Sequence, residues 1–238
     1  CNKIQSKTKF YTEINHNLKI IHNNSCFIRD IVPELKKMGK KIILWVSWSK
    51  LHIFLDLYQP DFIVYDYVDD FDAWRPYLRP MIEKSDAVIT TAKILTEEIN
   101  REYPDKPSIM VPNGCDIDRF KPGKTVERPP ELSSHNGPVI TYSGAWANWV
   151  DTKLVERIAH TFQHALVCVI GTEYGIKVPR HISNLVYLGL KTYFQLPAYL
   201  NYSTVCIIPF LLNPITLATN PIKMYEYLAS GKPVVSTD

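Results

Sequence analysis

The chain closes with NPIKMYEYLASGKPVVSTD at 220–238, in which a lysine and a glutamate stand near the start of a predicted helix. Asn220 is predicted to cap this helix and Pro221 to be its first residue. The free N–H groups of a helix start, together with Lys223, can bind a phosphate. Glu226 lies about 9 Å from the cap along the axis, where a carboxylate can accept hydrogen bonds from both hydroxyls of a ribose. A nucleotide site and an exposed Lys223–Glu226 ion pair both explain the pattern.

A group of acidic residues follows the predicted strand DFIVYDYV at 61–68. Asp66, Asp69 and Asp70 lie at or just past its carboxyl end, which is where open parallel sheets bind their ligands. Acids this close together can raise the pKa of one of them, which then serves as a general base or binds an acceptor hydroxyl. Aspartates that cap a turn explain the same residues. We take Asp66 and Asp69 as the catalytic candidates.

Motifs of other chemistries are weak or absent in the sequence. His160 and His164 have the spacing of two zinc ligands, but Thr161 stands where a zincin has glutamate, so we interpret the pair as a solvated helix face and predict no metal site. Asp151 is interpreted as the cap of the helix that follows it. The chain contains neither GxGxxG nor GxxxxGK[ST], so nothing in it indicates a dehydrogenase or an ATPase.

The elements that must position these residues alternate between short strands and amphipathic helices, which is the pattern of parallel sheets covered on both faces. The first series has strands KIILWV, DFIVYDYV, DAVITTA and SIMVPNG, with helices at 50–57, 76–84 and 93–103. The second series has strands PVITYSG, ALVCVIG, NLVYLG, TVCIIPF and KPVVST, with helices at 151–163, near 194–200 and at 221–230.

Between the two series lies a stretch rich in Pro, Gly and Ser with few apolar residues. We therefore predict an α/β protein with an N-terminal domain at 1–121, a linker at 122–138 and a C-terminal domain at 139–238. Both domains are expected to be Rossmann-like, doubly wound parallel sheets that face a cleft.

Composition excludes several classes of protein. The 238 residues are 46% hydrophobic, and 27 Lys and Arg nearly balance 24 Asp and Glu, which argues against nucleic acid as a partner. Five cysteines lie far apart without a CxxC pair, which indicates a reducing, cytoplasmic setting. The longest apolar run is much shorter than the ~20 residues of a membrane-spanning helix. Peripheral contact with the inner membrane surface is left open.

The closing stretch, with VPNGCDIDRF at 111–120 and YSGAWANWVD at 142–151, resembles the nucleotide-sugar glycosyltransferases of GT-B fold. The resemblance is strongest to glycosyltransferase family 4, which builds bacterial cell-surface polysaccharides, and it begins near residue 40. It implies a nucleotide-sugar donor bound mainly by the second domain, an acceptor bound mainly by the first, and transfer with retention that needs no metal or other cofactor. Because the chain starts without Met and stops soon after a strand, we expect both domains to be incomplete.

The resemblance agrees with the helix chemistry on the residues of the closing stretch. The family's ribose-binding glutamate falls on Glu226, and its phosphate-facing helix start falls on Asn220, Pro221 and Ile222. The family often has a second glutamate eight residues earlier, near the donor sugar, where this chain has Ala218. That difference concerns how the sugar is held and which sugar is used.

Two further segments of the second domain are donor-binding candidates. Gly144 ends the first strand of that domain, where the lack of a side chain lets a phosphate approach the backbone, although a tight turn explains it as well. Leu190, Lys191 and Thr192 follow the strand NLVYLG, where the family reads the nucleotide base with backbone groups. Trp146, beside Gly144, is expected either to pack in the core or to line the cleft.

The sequence thus predicts a hexosyl or related glycosyltransferase that moves a sugar from a nucleotide sugar to a hydroxyl of a glycan or a lipid-linked acceptor. Two alternatives remain at this point. A sugar-nucleotide epimerase of the same fold would need more acid and base groups in its cleft. A nucleotide-sugar-binding domain without catalytic activity is suggested by Ala218.

Overall fold

The computed structural model describes residues 11–123 and 127–237. The described chain divides into two compact units. The first contains the residues up to Thr90 and the segment Thr96–Met110, and the second contains Thr91–Leu95 and the residues from Val111 onward. No helix within the described ranges is long and apolar enough to cross a membrane.

Between residues 11 and 110 the structure describes six strands and four α-helices, with shorter helical segments between them. They are β1 (Tyr11–Asn15), β2 (Leu18–Ile21), α1 (Asn24–Cys26), a π-helix (Phe27–Ile31), α2 (Val32–Lys37), β3 (Ile43–Val46), a 3-10 helix (Ser49–Tyr58), β4 (Phe62–Tyr67), a 3-10 turn (Arg75–Tyr77), α3 (Leu78–Lys84), β5 (Ala87–Thr90), α4 (Lys93–Glu102) and β6 (Ser108–Met110).

The first unit is built on a parallel sheet with the strand order β3-β4-β5-β6, beside a separate antiparallel hairpin of β1 and β2. In β4 the alternate residues Ile63, Tyr65 and Tyr67 are buried, and so is Val64 on the opposite face. This burial explains why the sequence of β4 is apolar on both faces. The strand ends at Tyr67, in register with Thr90 of β5.

From Val111 onward the chain forms the remaining elements. They are α5 (Ile117–Phe120), a 3-10 turn (Pro130–Leu132), β7 (Val139–Ser143), α6 (Thr152–Thr161), β8 (Leu166–Ile170), β9 (Leu185–Gly189), α7 (Leu196–Asn201), β10 (Val205–Ile208), α8 (Pro214–Leu217), α9 (Ile222–Ala229) and β11 (Val234–Ser236).

The second unit contains a five-stranded parallel sheet with the order β11-β10-β7-β8-β9. Its first strand in sequence, β7, is central, and all of its residues are buried. The chain adds β8 and β9 on one side of β7 and then crosses to add β10 and β11 on the other. The order therefore reverses between β7 and β10, and this reversal is the switch point at which doubly wound sheets bind ligands.

The second unit begins before the predicted linker at 122–138. Phe120 is buried in the core of this unit, and Leu132 is buried against Val139 and Cys168 of its sheet. Described residues on both sides of 124–126 thus pack in the second unit. Residues 124–126 lie outside the described part of the chain. The predicted domain boundaries and the linker stay predictions.

Candidate nucleotide-binding site

The switch point of the second sheet carries a glycine and a lysine in close contact. Gly144 directly follows β7 and has a φ of +144°. A Cβ atom at Gly144 would lie 2.7 Å from Cε and 3.1 Å from Nζ of Lys223. A side chain at this position would be strained by the backbone conformation and would displace the end of Lys223. Two predicted donor-binding residues are therefore brought together.

The Lys223 ammonium lies above two aromatic rings at the carboxyl ends of the central strands. Its Nζ is 4.7 Å from the ring centroid of Phe210, which follows β10, and 5.6 Å from that of Tyr142 in β7. Such cation–π contacts orient an ammonium group without neutralising it. The structure thus places a positive charge between the two strands of the switch point.

Helix α9 begins one residue later than predicted. Pro221 is the cap, with extended backbone angles (φ −75°, ψ 117°), and no side chain caps the helix. The prediction that Asn220 caps a helix starting at Pro221 is therefore wrong. Instead, the Asn220 carbonyl accepts a 2.6 Å hydrogen bond from Nδ2 of Asn113, and Oδ1 of Asn220 is buried without a hydrogen-bond partner among the described residues. Ile222 is the first helical residue.

Glu226 is a buried acid on the second turn of α9. The residue is 7% exposed, and its carboxylate makes no hydrogen bond or ion pair with any described residue. Burial raises the pKa of Glu226 above its ordinary value of 4.5, and the positive charge of Lys223 partly opposes that shift. The interpretation of Lys223 and Glu226 as an exposed ion pair is therefore wrong.

The neighbouring residue fixes the helix to the central strand. The hydroxyl oxygen of the fully buried Tyr227 accepts a 2.7 Å hydrogen bond from the backbone N–H of Ser143, the last residue of β7. The Ser143 hydroxyl also lies 3.0 Å from the Tyr227 hydroxyl. These bonds set the distance between the helix that carries Glu226 and the turn that carries Gly144.

Two glycines that sequence reasoning missed lie beside Gly144 at the carboxyl edge of the second sheet. Gly171 directly follows β8, and a Cβ atom there would lie 2.0 Å from the carbonyl oxygen of Gly144. Gly189 ends β9, and its carbonyl accepts a 2.9 Å hydrogen bond from the N–H of Gly171. Both residues were visible in the sequence as a glycine closing a predicted strand. At the carboxyl edge, β7 and β8 are therefore each followed by a glycine, and β9 ends in one.

The segment after β9 has its polar side chains engaged within the unit. Nζ of Lys191 lies 2.6 Å from Oε1 of Glu131 and 5.1 Å from the ring centroid of Tyr199, and its side chain is 15% exposed. The N–H and hydroxyl of Thr192 each donate to Oε1 of Gln195 at 3.0 Å. The side chains of Lys191 and Thr192 thus hold their own segment, and recognition of a base by its backbone stays a prediction.

The acidic candidates lie at the carboxyl end of β4 in the first unit. Oδ2 of Asp66 accepts a 2.8 Å hydrogen bond from Nε1 of Trp45. Asp69 is partly buried, two residues past the strand. Asp70 is 4% exposed, pairs with Arg75 and accepts a 3.0 Å hydrogen bond from the Tyr67 hydroxyl, which identifies it as a structural acid. Catalytic roles for Asp66 and Asp69 stay predictions.

The structure settles three smaller interpretations. Trp146 is fully buried in the core, so its interpretation as a packing residue is confirmed and the alternative, that it lines a cleft, is wrong. Asp151 caps α6 by accepting a 2.8 Å hydrogen bond from the N–H of Leu154, as predicted. His160 is exposed on α6, whereas His164 is exposed beyond the helix end. Among residues 11–123 and 127–237, no group of three potential ligand side chains is placed to hold a metal ion.

Comparison with known proteins identifies similar chains. The sequence is 21% identical over 240 residues to TuaH of Bacillus subtilis (strain 168), which carries the provisional name of a teichuronic acid biosynthesis glycosyltransferase. The alignment covers 91% of this chain and 60% of TuaH, so the chain spans less than two thirds of that relative. No family model matches the sequence.

Solved structures share the fold at low sequence identity. Sucrose-phosphate synthase of Thermosynechococcus elongatus has a TM-score of 0.68 at 14% identity, covering 97% of this chain and 68% of its own. HepE of Anabaena, solved in complex with UDP-glucose, has a TM-score of 0.61 at 13% identity, covering 88% of this chain and 62% of its own. TarM of S. aureus has a TM-score of 0.59 at 14% identity, covering 93% of this chain and 45% of its own. The predicted α/β fold of GT-B type is confirmed.

Proposed function

We propose that this chain is the greater part of a glycosyltransferase that moves a sugar from a nucleotide-sugar donor to a hydroxyl of a glycan or lipid-linked acceptor. The reaction is proposed to proceed with retention and to serve cell-surface polysaccharide synthesis in the cytoplasm. The name of TuaH supports this polymer class, and the UDP-glucose bound to HepE supports a nucleoside diphosphate sugar as donor.

The observation that carries the proposal is the largely buried carboxylate of Glu226, which has no hydrogen-bond partner among the described residues. An ionised acid in this environment lacks the hydrogen bonds that normally offset its desolvation. A ribose offers two hydroxyl donors that can bind one carboxylate. Glu226 lies on the second turn of a helix whose start is next to Gly144 and Lys223. The spacing suits a nucleotide whose diphosphate meets the helix start and whose ribose meets Glu226.

The diphosphate would be bound without a metal ion. The free N–H groups at the start of α9 and the ammonium of Lys223 supply positive charge, and the lack of a side chain at Gly144 lets the end of Lys223 lie against the backbone at this edge. A metal-free site of this kind needs no acidic ligands beside the phosphates. The acceptor hydroxyl would be bound and deprotonated by Asp66 or Asp69 of the first unit.

The test is a panel of nucleotide sugars offered to the full-length protein. A true donor should raise the melting temperature, since ligand at 100 times its Kd stabilises a protein by about 2.7 kcal/mol. The same donor should release its nucleoside diphosphate when a glycan or lipid-linked acceptor is added. Failure of every nucleotide sugar to bind at millimolar concentration would refute the proposal.

One observation favours a second candidate. Ala218, at the position where the resemblance implies a glutamate near the donor sugar, is buried directly after α8 and offers no polar side chain. A domain that binds a nucleotide sugar without transferring it would tolerate this residue. Binding in the thermal-shift panel without nucleotide release, over the acceptors tried, would favour this second function.

A further inference from the structure

The VPNG stretch at 111–114 leads into a segment that runs beside α9 for its whole length. Asn113 contacts Asn220 at the start of the helix. Pro122 lies close to Gly231, just past the end of the helix, where its Cγ would be 3.2 Å from a Cβ atom on the glycine. Between these contacts α5 packs against α9. The segment 113–122 therefore lies along α9, the helix that carries Lys223 and Glu226 of the proposed nucleotide site.

The contact of Asn113 is made with the backbone directly before α9. The Asn220–Pro221 peptide lacks an N–H group, so the Asn220 carbonyl is its one hydrogen-bonding group. Nδ2 of Asn113 donates to that carbonyl at 2.6 Å. Since no side chain caps α9, this bond is the restraint on the peptide that immediately precedes the helical N–H groups.

We infer that Asn113 is a positioning residue for the proposed nucleotide site, because its amide fixes the peptide that aims the first N–H groups of α9 at the donor diphosphate. The inference rests on the proposed function. Asn113 is given no contact with the ligand. Its loss should leave the fold intact, loosen the start of the helix and weaken binding of any nucleoside diphosphate, whatever its base.

The decisive variant is Asn113→Asp, which keeps the shape of the side chain but replaces the donor with a carboxylate facing a carbonyl. Asn113→Ala is the second variant, because it removes the donor without adding repulsion. The matched control is Asn184→Asp. The amide of Asn184 donates to the backbone carbonyls of Ala159 at 2.9 Å and Ala165 at 3.0 Å, so it makes the same kind of bond away from α9.

Two measurements are made on the full-length protein. Amide hydrogen exchange is followed at the N–H groups of Met224, Tyr225 and Glu226, which close the first turn of α9 by bonding back to its start, and it does not depend on any ligand. Calorimetric titration gives the Kd of UDP, GDP and ADP, and the tightest binder to the wild type serves as the probe. We expect faster exchange in that turn and roughly five- to tenfold weaker binding in both Asn113 variants, the size of one lost hydrogen bond. Asn184→Asp should lose thermal stability and keep its Kd within about twofold of the wild type.

Each failure has its own signature. Unchanged exchange in the first turn, or an unchanged Kd in both Asn113 variants, overturns the positioning role while leaving the proposed function intact. An equal loss of affinity in Asn184→Asp also overturns it, because the effect is then one of general stability. If the wild type binds none of the three nucleotides, the proposed function fails and the positioning role fails with it.

Discussion

Replacing Glu226 with glutamine separates two effects that a buried, unpaired acid should have. The change keeps the size of the side chain and removes its charge. In the complex, the carboxylate would accept two hydroxyl hydrogen bonds, and hydrogen bonds to a charged group contribute about 1.5–3 kcal/mol. At about 1.4 kcal/mol per factor of ten, Glu226→Gln should weaken nucleotide-sugar binding by roughly 10- to 150-fold.

In the ligand-free protein the same substitution should be stabilising. Burial raises the pKa of Glu226 above 4.5, so the folded protein holds this proton more tightly than the unfolded chain does. The free energy of unfolding then falls as pH rises from about 4.5 through the pKa of the folded state. Glu226→Gln removes that fall, so its melting temperature at neutral pH should exceed that of the wild type.

Glu173 provides the matched control because it is a partly buried acid with partners. Its side chain is 10% exposed and pairs with Lys177 at 3.0 Å and Arg180 at 2.8 Å, and hydrogen bonds, first that from the N–H of Val178, lower its pKa. This acid contributes stability above the ordinary pKa of 4.5, and that stability is lost as pH falls through the lowered value. Glu173→Gln should therefore lower the melting temperature at neutral pH.

The assay combines melting curves from pH 4 to 8 with calorimetric titration of the donor at neutral pH. Opposite shifts of the melting temperature in the two variants, with loss of affinity in Glu226→Gln alone, fit the reasoning. A Glu226→Gln protein that melts earlier than the wild type and binds the donor within twofold would refute both the buried-charge argument and the ribose assignment.

Three further outcomes are expected. Gly144→Ala should lower the free energy of unfolding by about 1–3 kcal/mol and weaken donor binding, because it strains a backbone with positive φ and displaces Lys223. Gly175→Ala is the control: φ is +78° there and no atom lies within 4 Å of the added Cβ, so it should lower stability through backbone strain alone. Asp66→Asn and Asp69→Asn should lower turnover by about 10²- to 10⁴-fold at unchanged donor Kd if either acid is the base, and unchanged turnover per folded molecule would assign them to structure. Excess chelator should leave activity intact, and a loss restored by magnesium or manganese would refute metal-free binding.

The strands that position the site could be predicted because their environment determines their sequence. PVITYSG and DFIVYDYV are apolar on successive residues, as a strand covered on both faces requires, and both are found as central strands. The start of α9 was displaced by one residue because Asn followed by Pro suits either of two cap positions. The hydrogen bond from Asn113 decides between them, and it joins residues 107 positions apart.

Burial was the property that local patterns described least well. Trp146 is packed in the core and Glu226 is 7% exposed on α9, and the residues next to them in the sequence predict neither burial. Phe120 likewise enters the core of the second unit, although it precedes a stretch with the composition of a linker. These placements arise from contacts between distant segments, which outweigh local preferences.

Three features of the switch point oppose local stability, and their coincidence is the argument for a ligand. Gly144 holds a conformation that other residues avoid, Lys223 places its charge at the positive end of a helix dipole, and the largely buried carboxylate of Glu226 has no hydrogen-bond partner among the described residues. Taken separately, a tight turn explains Gly144, the contacts with aromatic rings explain Lys223, and chance burial explains Glu226. A single molecule that carries phosphates and adjacent hydroxyls would place an anion beside Lys223 and hydrogen-bond donors beside Glu226 at once. Strain concentrated where the fold binds ligands is what a binding site before occupation would show.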